Sequence, residues 1–168
     1  VYKGQYEEAE REYEESLSIF RDLSEKCPEV YLPNVAQSVE SLAWLHSVLG
    51  QYAKSEMLCE EAVAQYRDLY SQRTLQYEDK LCKNINRLAY YQMYQEKYSQ
   101  ALETIEEAIT LMPDNPNVLD TKGEILLKMG DNNKALEVWH QVVKLASDFY
   151  ERDETELYKG LKELGLVQ

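Results

Sequence analysis

The residues that could carry acid–base or metal chemistry are few and scattered. The only histidines are His46 and His140, and the three cysteines are Cys27, Cys59 and Cys82. A zinc site draws on several His or Cys ligands, and no two of these cysteines form a C-x-x-C pair. The sequence also lacks a G-x-S-x-G motif, an H-E-x-x-H motif and a phosphate-binding glycine loop. We therefore predict no catalytic residues, no metal and no cofactor.

One Cys–His couple could still supply a nucleophile and a base. His46 and Cys59 fall at facing core positions of one predicted helix pair, and a neighbouring histidine can activate a thiol. We favour the alternative, in which the two are core residues without a function. His140 falls on an outer helix face, and acidic pairs such as Glu60-Glu61 are typical of solvated surface.

The charge of the chain excludes some partners. Lys and Arg number 18 and Asp and Glu number 31, which gives a net charge of −13. Phosphate binding needs a basic footprint, so nucleic acid and acidic membrane surfaces are poor partners. No apolar run reaches the roughly 18 residues that cross a membrane. The odd number of cysteines argues against a disulfide framework and favours a reducing, cytoplasmic location.

The elements that must position any site are repeated. Four stretches share one pattern and begin at Gly4, Gly50, Glu96 and Gly130, at intervals of 46, 46 and 34 residues. Self-similarity at such a period is the signature of a repeat array. An array offers a long binding surface rather than an enclosed enzyme pocket.

Apolar residues within each copy recur at spacings of three and four, which predicts amphipathic helices. In the second copy the first helix is predicted over 34–49, with Pro33 in its first turn and Gly50 after its end. The second helix is predicted over 52–70, and the short connection makes the two antiparallel.

Small residues are expected where paired helices approach each other, because a large side chain there would separate the helix axes. Three equivalent sites hold Ala43, Ala89 and Gly123; Ala62, Ala108 and Val142; and Ala9, Ser55, Ala101 and Ala135. In the fourth copy, Asn115 is predicted to cap a helix whose first residue is Pro116.

These residues resemble the tetratricopeptide repeat family, whose unit is a helix pair of about 34 residues. The resemblance is carried by an early apolar residue, an apolar-small pair and a second-helix series of small, large and small residues. They are Val39, Ile85 and Leu119; Leu42-Ala43 and Leu88-Ala89; and Ala9-Tyr13-Ser16, Ser55-Cys59-Ala62, Ala101-Ile105-Ala108 and Ala135-Trp139-Val142. The two intervals of 46 residues are similar to the lengthened repeats of kinesin light chains. The twelve extra residues imply either longer helices or a longer connection.

The predicted fold is therefore all-α, an α-solenoid of antiparallel helix pairs over 1–168. It is divided into a half repeat over 1–31, repeats over 32–77, 78–114 and 115–147, and a capping helix over 150–166. The capping helix is indicated by Asp153 at its start, Gly165 at its end, and an apolar stripe of Leu157, Leu161 and Leu164.

The first copy lacks the first helix of its pair. Its remaining helix is therefore expected to expose a stripe without a partner, formed by Tyr6, Ala9, Tyr13, Ser16, Leu17 and Phe20. We expect either further repeats upstream or pairing of this edge with another molecule, including self-association.

The resemblance implies a binding groove lined by the first helix of each pair. Carried over by position, the candidate residues are Gln37, Glu40, Trp44, Ser47 and Val48; Lys83, Asn86, Tyr90, Met93 and Tyr94; and Asn117, Asp120, Glu124, Leu127 and Lys128. Trp44, Tyr90 and Tyr94 would be aromatic anchors, a residue type that carries binding energy at interfaces. The alternative is that Trp44 and Tyr90 pack between repeats.

Some members of the family clamp a carboxylate on this face. Here only Lys83, Asn86 and Arg87 are of a suitable type, and acidic residues surround them, so we do not expect such a clamp. The resemblance implies a non-catalytic scaffold that binds a protein or peptide partner. The alternative function is a regulatory or sensor module that makes contacts within a larger protein or with itself.

Overall fold

The computed structural model describes residues 2–145, without the side chains of residues 2, 3 and 74. Within this range every regular element is an α-helix. The helices are α1 (Tyr2–Lys26), α2 (Pro28–Val48), α3 (Tyr52–Gln72), α4 (Thr74–Tyr94), α5 (Tyr98–Leu111), α6 (Pro116–Lys128) and α7 (Asn132–Leu145). The fold is therefore an all-α solenoid, as the sequence predicted. The proposed capping helix over 150–166 lies outside the described residues.

Consecutive helices pack against each other and form two layers. One layer holds α2, α4 and α6, the first helices of three pairs, and ion pairs from Glu40 to Lys83 and Arg87 join α2 to α4. The other layer holds the second helices α1, α3, α5 and α7. There the Arg21–Glu61 and Arg67–Glu107 pairs join α1 to α3 and α3 to α5. Binding surfaces can therefore form along either layer.

The twelve extra residues of the long repeats lengthen the helices. Helices α2, α3 and α4 have 21 residues each, whereas α5, α6 and α7 have 14, 13 and 14. Single residues, Cys27 and Arg73, separate the long helices at one end. The pairs begin at residues 28, 74 and 116, beside the predicted repeat starts at 32, 78 and 115. The predicted boundaries themselves stay a prediction.

Helix α2 begins earlier than the sequence indicated. Its first residue is Pro28, so Pro33 lies inside the helix and not in the first turn. Pro33 has no N–H to donate to the Glu29 carbonyl, so α2 lacks one backbone hydrogen bond near its start. By contrast, α6 begins as predicted, because the Asn115 side chain accepts from the backbone N–H of Asn117 at 3.0 Å and Pro116 follows it.

The core follows the repeat pattern. Buried apolar residues join from Leu17 to Ile125 in one cluster, and a second cluster around Trp139 fills the space between α6 and α7. The small residues predicted at the close approaches of α2 to α7 are all buried. No helix among the described residues is long and apolar enough to cross a membrane.

The stripe predicted to be exposed on α1 instead packs against α2. Leu17 is buried, and Tyr13 and Phe20 are partly buried against the core. Five of the six equivalent residues of α3, among them Cys59 and Tyr66, are buried against the neighbouring helices, and the sixth, Tyr52, is half-buried. Among the described residues, the apolar stripe of α1 packs mainly against α2. It is therefore half-buried instead of exposed, and the expectation of a stripe without a partner was wrong.

Candidate functional site

The candidate site is the outward face of α2, α4 and α6, which we call the first-helix face. Its residues fall in five rows, because positions 46 and then 34 residues apart are equivalent in the three helices. The rows are Gln37, Lys83 and Asn117; Glu40, Asn86 and Asp120; Trp44, Tyr90 and Glu124; Ser47, Met93 and Leu127; and Val48, Tyr94 and Lys128. Helices α2 and α4 are joined by ion pairs, and α4 contacts α6, so the rows run across the face.

Glu40 is the centre of a buried ion cluster at the α2–α4 side of this face. Its Oε1 accepts from Arg87 at 2.7 Å and from Lys83 at 3.1 Å, and its Oε2 accepts from the Tyr66 hydroxyl at 3.0 Å. Lys80 lies 3.9 Å from the same carboxylate. Burial raises the pKa of Glu40, but Lys83, Lys80 and Arg87 together outweigh burial and leave the pKa below its ordinary value. Glu40 is therefore ionised and engaged within the fold.

This cluster bears on a carboxylate clamp. Lys83 and Arg87, two of the three residues of suitable type, already hold the carboxylate of Glu40. A partner carboxylate would have to compete with a charge that is fixed beside them. The third residue, Asn86, is half-buried, and its Oδ1 has no hydrogen-bond partner among the described residues.

An aromatic and apolar stripe runs along the ends of α2 and α4. Trp44, Val48 and Tyr94 keep 47%, 45% and 49% of their surface exposed. The ring of Tyr94 stacks on Tyr52 with centroids 4.7 Å apart and lies 4.6 Å from the ring of Tyr90. These ring contacts hold Tyr94 in place, and much of the surface of the stripe faces outward. Trp44 does not pack away between repeats, whereas Tyr90 is half-buried.

Two half-buried carboxylates, Asp120 and Glu124, lie on α6 beside this stripe. Burial raises the pKa of Asp120, while its hydrogen bond from the Trp139 indole N–H, at 3.1 Å, acts in the opposite direction. Burial and then the charge of Asp120 raise the pKa of Glu124, and Lys128 partly offsets them. Both carboxylates are thus poorly solvated.

The remaining predicted residues divide between surface and core. Gln37, Lys83, Asn117, Leu127 and Lys128 are exposed. Ser47 is half-buried and donates to the Trp44 carbonyl at 2.7 Å. Met93 is 3% exposed and belongs to the core, so it offers no surface to a partner in this conformation.

Sequence reasoning left Tyr52 out of the candidate site. In the structure Tyr52 is half-buried and stacks on Tyr94. Its place at the start of α3, directly after the Gly50 turn, was the available signal, because this turn lies beside the ends of α2 and α4.

The Cys–His couple is not formed. His46 Nδ1 lies 2.9 Å from Gln51 Oε1, and its Nε2 lies 3.6 Å from Glu10. The Cys59 thiol donates to the Asn84 carbonyl at 3.2 Å, and burial raises its pKa to about 12. A thiol with such a pKa is not an active nucleophile at neutral pH. In residues 2–145 no three His, Cys, Asp or Glu side chains gather as a metal site would require.

Comparison with solved structures identifies the architecture. The chain superposes on BtubC (BKLC) from P. vanneervenii with a TM-score of 0.71 at 17% identity, over 96% of this chain and 65% of that one. It superposes on MamA with a TM-score of 0.64 at 16% identity, over 98% and 82% of the two chains. The TPR-like repeats of a putative kinesin light chain from Podosopora anserina give a TM-score of 0.64 at 19% identity, over 88% and 71%. The chain has a TPR-like fold.

This finding confirms the predicted fold type, including its likeness to kinesin light chain repeats. The chain spans 65% of the length of the BtubC chain. No protein-family model matches the sequence, and no curated protein matches it significantly. At these identities the likeness establishes the fold, and the function has to be argued from the surface.

Proposed function

We propose that the chain is a non-catalytic scaffold that binds a segment of a protein partner on the first-helix face. The observation that carries this proposal is the outward aromatic and apolar stripe of Trp44, Val48 and Tyr94. Trp and Tyr are enriched among the residues that carry most of the binding energy at protein interfaces. Their position on adjacent helices gives an extended segment several contacts in a row.

The surrounding charge supports a protein partner over a nucleic acid. The net charge is −13, and three cations of this face, Lys80, Lys83 and Arg87, are held by Glu40. Few cations are thus left to neutralise phosphates, which nucleic-acid binding requires. Cytoplasmic location stays a prediction from cysteine usage.

The test is selection of peptides from a displayed random library on the immobilised full chain. We expect enriched peptides to bind the unaltered chain and to lose at least about tenfold in affinity on the Trp44→Ser/Tyr94→Ser variant, since anchor residues carry most of the binding energy. The matched control is Met57→Ser/Leu75→Ser, which removes two apolar side chains that are more exposed and lie elsewhere. Peptides that bind the first variant as well as the unaltered chain would contradict the proposal.

A second candidate function is contact through the open side of α1, as in self-association. Glu61 and Glu107 each form an ion pair with an arginine of the preceding second helix. Glu15, at the equivalent place of α1, has no such ion pair among residues 2–145 and lies beside Ile19, which is 52% exposed. Sedimentation at increasing concentration tests this candidate, and a monomer throughout, with no preceding repeat in the native protein, would contradict it.

A further inference from the structure

Two carboxylates in one row of the first-helix face, the buried Glu40 and the half-buried Asp120, can be compared directly. Glu40 of α2 and Asp120 of α6 are equivalent positions. Glu40 is neutralised by two close cations and a hydroxyl from α3 and α4. Asp120 receives only the neutral indole N–H of Trp139. The fold itself thus shows that a carboxylate at this position is satisfied by cations, and at α6 the described residues supply none.

Glu124 enlarges the same uncompensated region. It lies one helical turn after Asp120, and the two charges repel each other. Its charge also reaches the Tyr90 hydroxyl, whose pKa is raised by burial, by its hydrogen bond with Tyr94 and, to a smaller extent, by Glu124. The cation that partly offsets the raised pKa of Glu124 is Lys128, which is exposed and forms no ion pair within residues 2–145. A partly desolvated pair of carboxylates is costly unless a cation joins it.

The aromatic side of the region favours the same kind of ligand. The rings of Tyr90 and Tyr94 lie 4.6 Å apart, and Tyr90 is close enough to Glu124 for the charge of Glu124 to raise the pKa of the Tyr90 hydroxyl. A guanidinium or ammonium group gains from an aromatic face as well as from a carboxylate, and a planar guanidinium stacks on such rings. One extended partner segment can therefore place an apolar side chain on the stripe and a cationic side chain beside it.

Building on the proposed function, we propose that the partner segment is basic as well as apolar. Its apolar side chains cover Trp44, Val48 and Tyr94, and an adjacent Lys or Arg side chain lies between Asp120, Glu124 and the ring of Tyr90. The net charge of −13 favours the approach of such a segment over a distance, because opposite charges speed association.

The experiment repeats the library selection and compares three full-length proteins. They are the unaltered chain, the Asp120→Asn/Glu124→Gln variant, and a control Glu103→Gln/Glu137→Gln, which removes the same charge from exposed sites on α5 and α7. We expect peptides selected on the unaltered chain to combine Lys or Arg with apolar residues. A synthetic copy of the most enriched peptide should bind the first variant at least about tenfold more weakly and the control within about twofold.

The double variant is designed to preserve the fold. Asp120→Asn retains an oxygen that can accept from the Trp139 indole N–H, and circular dichroism will verify that the helix content is unchanged. If the double variant fails to fold, Glu124→Gln alone tests the same prediction, because Glu124 forms no hydrogen bond or ion pair within residues 2–145.

The contrary outcomes separate the two proposals. Enriched peptides that lack basic residues, or that bind both variants equally, would overturn the basic partner and leave the scaffold standing. An absence of any enriched peptide would overturn both. Carbodiimide crosslinking supplies a further check: a link from Asp120 or Glu124 to Lys159 or Lys162 within one chain, or to a second copy, would assign this surface to the protein itself and overturn the proposal.

Discussion

At the scale of single residues, one of the three turns that join the helices of a pair has a residue that disfavours the backbone conformation of the turn. Helices α2 and α6 are followed by Gly50 and Gly130, with φ of 71° and 82°. The equivalent residue after α4 is Glu96, with φ of 61°. All three turns have the same hydrogen bond, for example from the Lys97 N–H to the Gln92 carbonyl at 3.0 Å. The hydrogen bonds therefore hold Glu96 in a left-handed conformation that favours glycine.

Replacing Glu96 by glycine should stabilise the protein. The left-handed conformation costs a side-chain-bearing residue about 1 kcal/mol, and Glu96 is exposed and forms no ion pair among the described residues. We expect Glu96→Gly to raise the free energy of unfolding by about 0.5–1 kcal/mol, measured by urea denaturation followed by circular dichroism. The matched control is Gly50→Ala, which should lower the free energy of unfolding by a similar amount. Nothing lies within 4 Å of the added methyl group, so the left-handed backbone conformation is the cause of the loss. A destabilised Glu96→Gly variant would show this account to be wrong.

At the scale of helices, the repeats balance the sizes of facing residues. The equivalent first-helix positions are Ala43, Ala89 and Gly123, and the second-helix positions are Cys59, Ile105 and Trp139. All six are buried. The smallest residue thus occurs in the pair with the largest partner, and the Trp139 indole lies over the backbone of Gly123. This exchange lets α6 and α7 pack around a bulky side chain.

Gly123→Ala tests that balance. A methyl group at residue 123 would lie 2.3 Å from Trp139 Nε1, so the indole would have to move from its hydrogen bond with Asp120. We expect the free energy of unfolding to fall by about 1–2 kcal/mol, because overpacking outweighs the gain in helix propensity. Thermal or urea denaturation measures the change.

The neighbouring pair provides the control for this prediction. Helices α4 and α5 combine Ala89 with Ile105. Adding Trp139→Ile to Gly123→Ala reproduces that combination and should recover part of the loss, which a double-mutant cycle measures as a favourable coupling. A neutral or stabilising Gly123→Ala substitution would contradict the predicted clash.

At the scale of the whole molecule, Glu40 on the one hand and Asp120 and Glu124 on the other have opposite effects on how the stability of the fold depends on pH. The pKa of Glu40 is lowered from its ordinary 4.5, so its stabilising effect is present above that value and is lost as the pH falls through the lowered pKa. The pKa values of Asp120 and Glu124 are raised. Folding favours their protonated forms, so stability is gained as the pH falls through these raised values.

We therefore expect stability to pass through a maximum in mildly acidic solution. The thermal midpoint should rise as the pH falls from 7 through the raised pKa values of Asp120 and Glu124, whose protonation also reduces the repulsion within an acidic chain. It should fall as the pH drops further, through the lowered pKa of Glu40. Glu124→Gln should reduce this rise of the midpoint. The corresponding change in the free energy of unfolding should be less than about 1 kcal/mol, because the carboxylate is partly solvated. Glu40→Gln should weaken the fall, and a midpoint that decreases steadily from pH 7 would contradict the assignment.

Much of the architecture could be predicted from the sequence, because burial in a helix repeat leaves a periodic trace. The turns after Gly50 and Gly130, the Asn115 cap and the small residues at helix approaches follow from local chemistry and spacing. The resemblance to the tetratricopeptide repeat family, and not local chemistry, put Trp44 and Tyr94 on the first-helix face, and both side chains are exposed there. Whether this face binds a partner remains our proposal.

What the sequence determined by itself was the period, the helix pairs and the side of each helix that is apolar, since these depend on residues near each other in the chain. Only the tertiary structure decided which neighbour covers each side. It packed the α1 stripe on α2, turned the twelve extra residues into longer helices, and placed Met93 in the core. It also surrounded Glu40 with cations from a helix more than 40 residues away and left Asp120 without them. Charge compensation and shared burial depend on distances between helices, and these distances cannot be read from the spacing of residues along one helix.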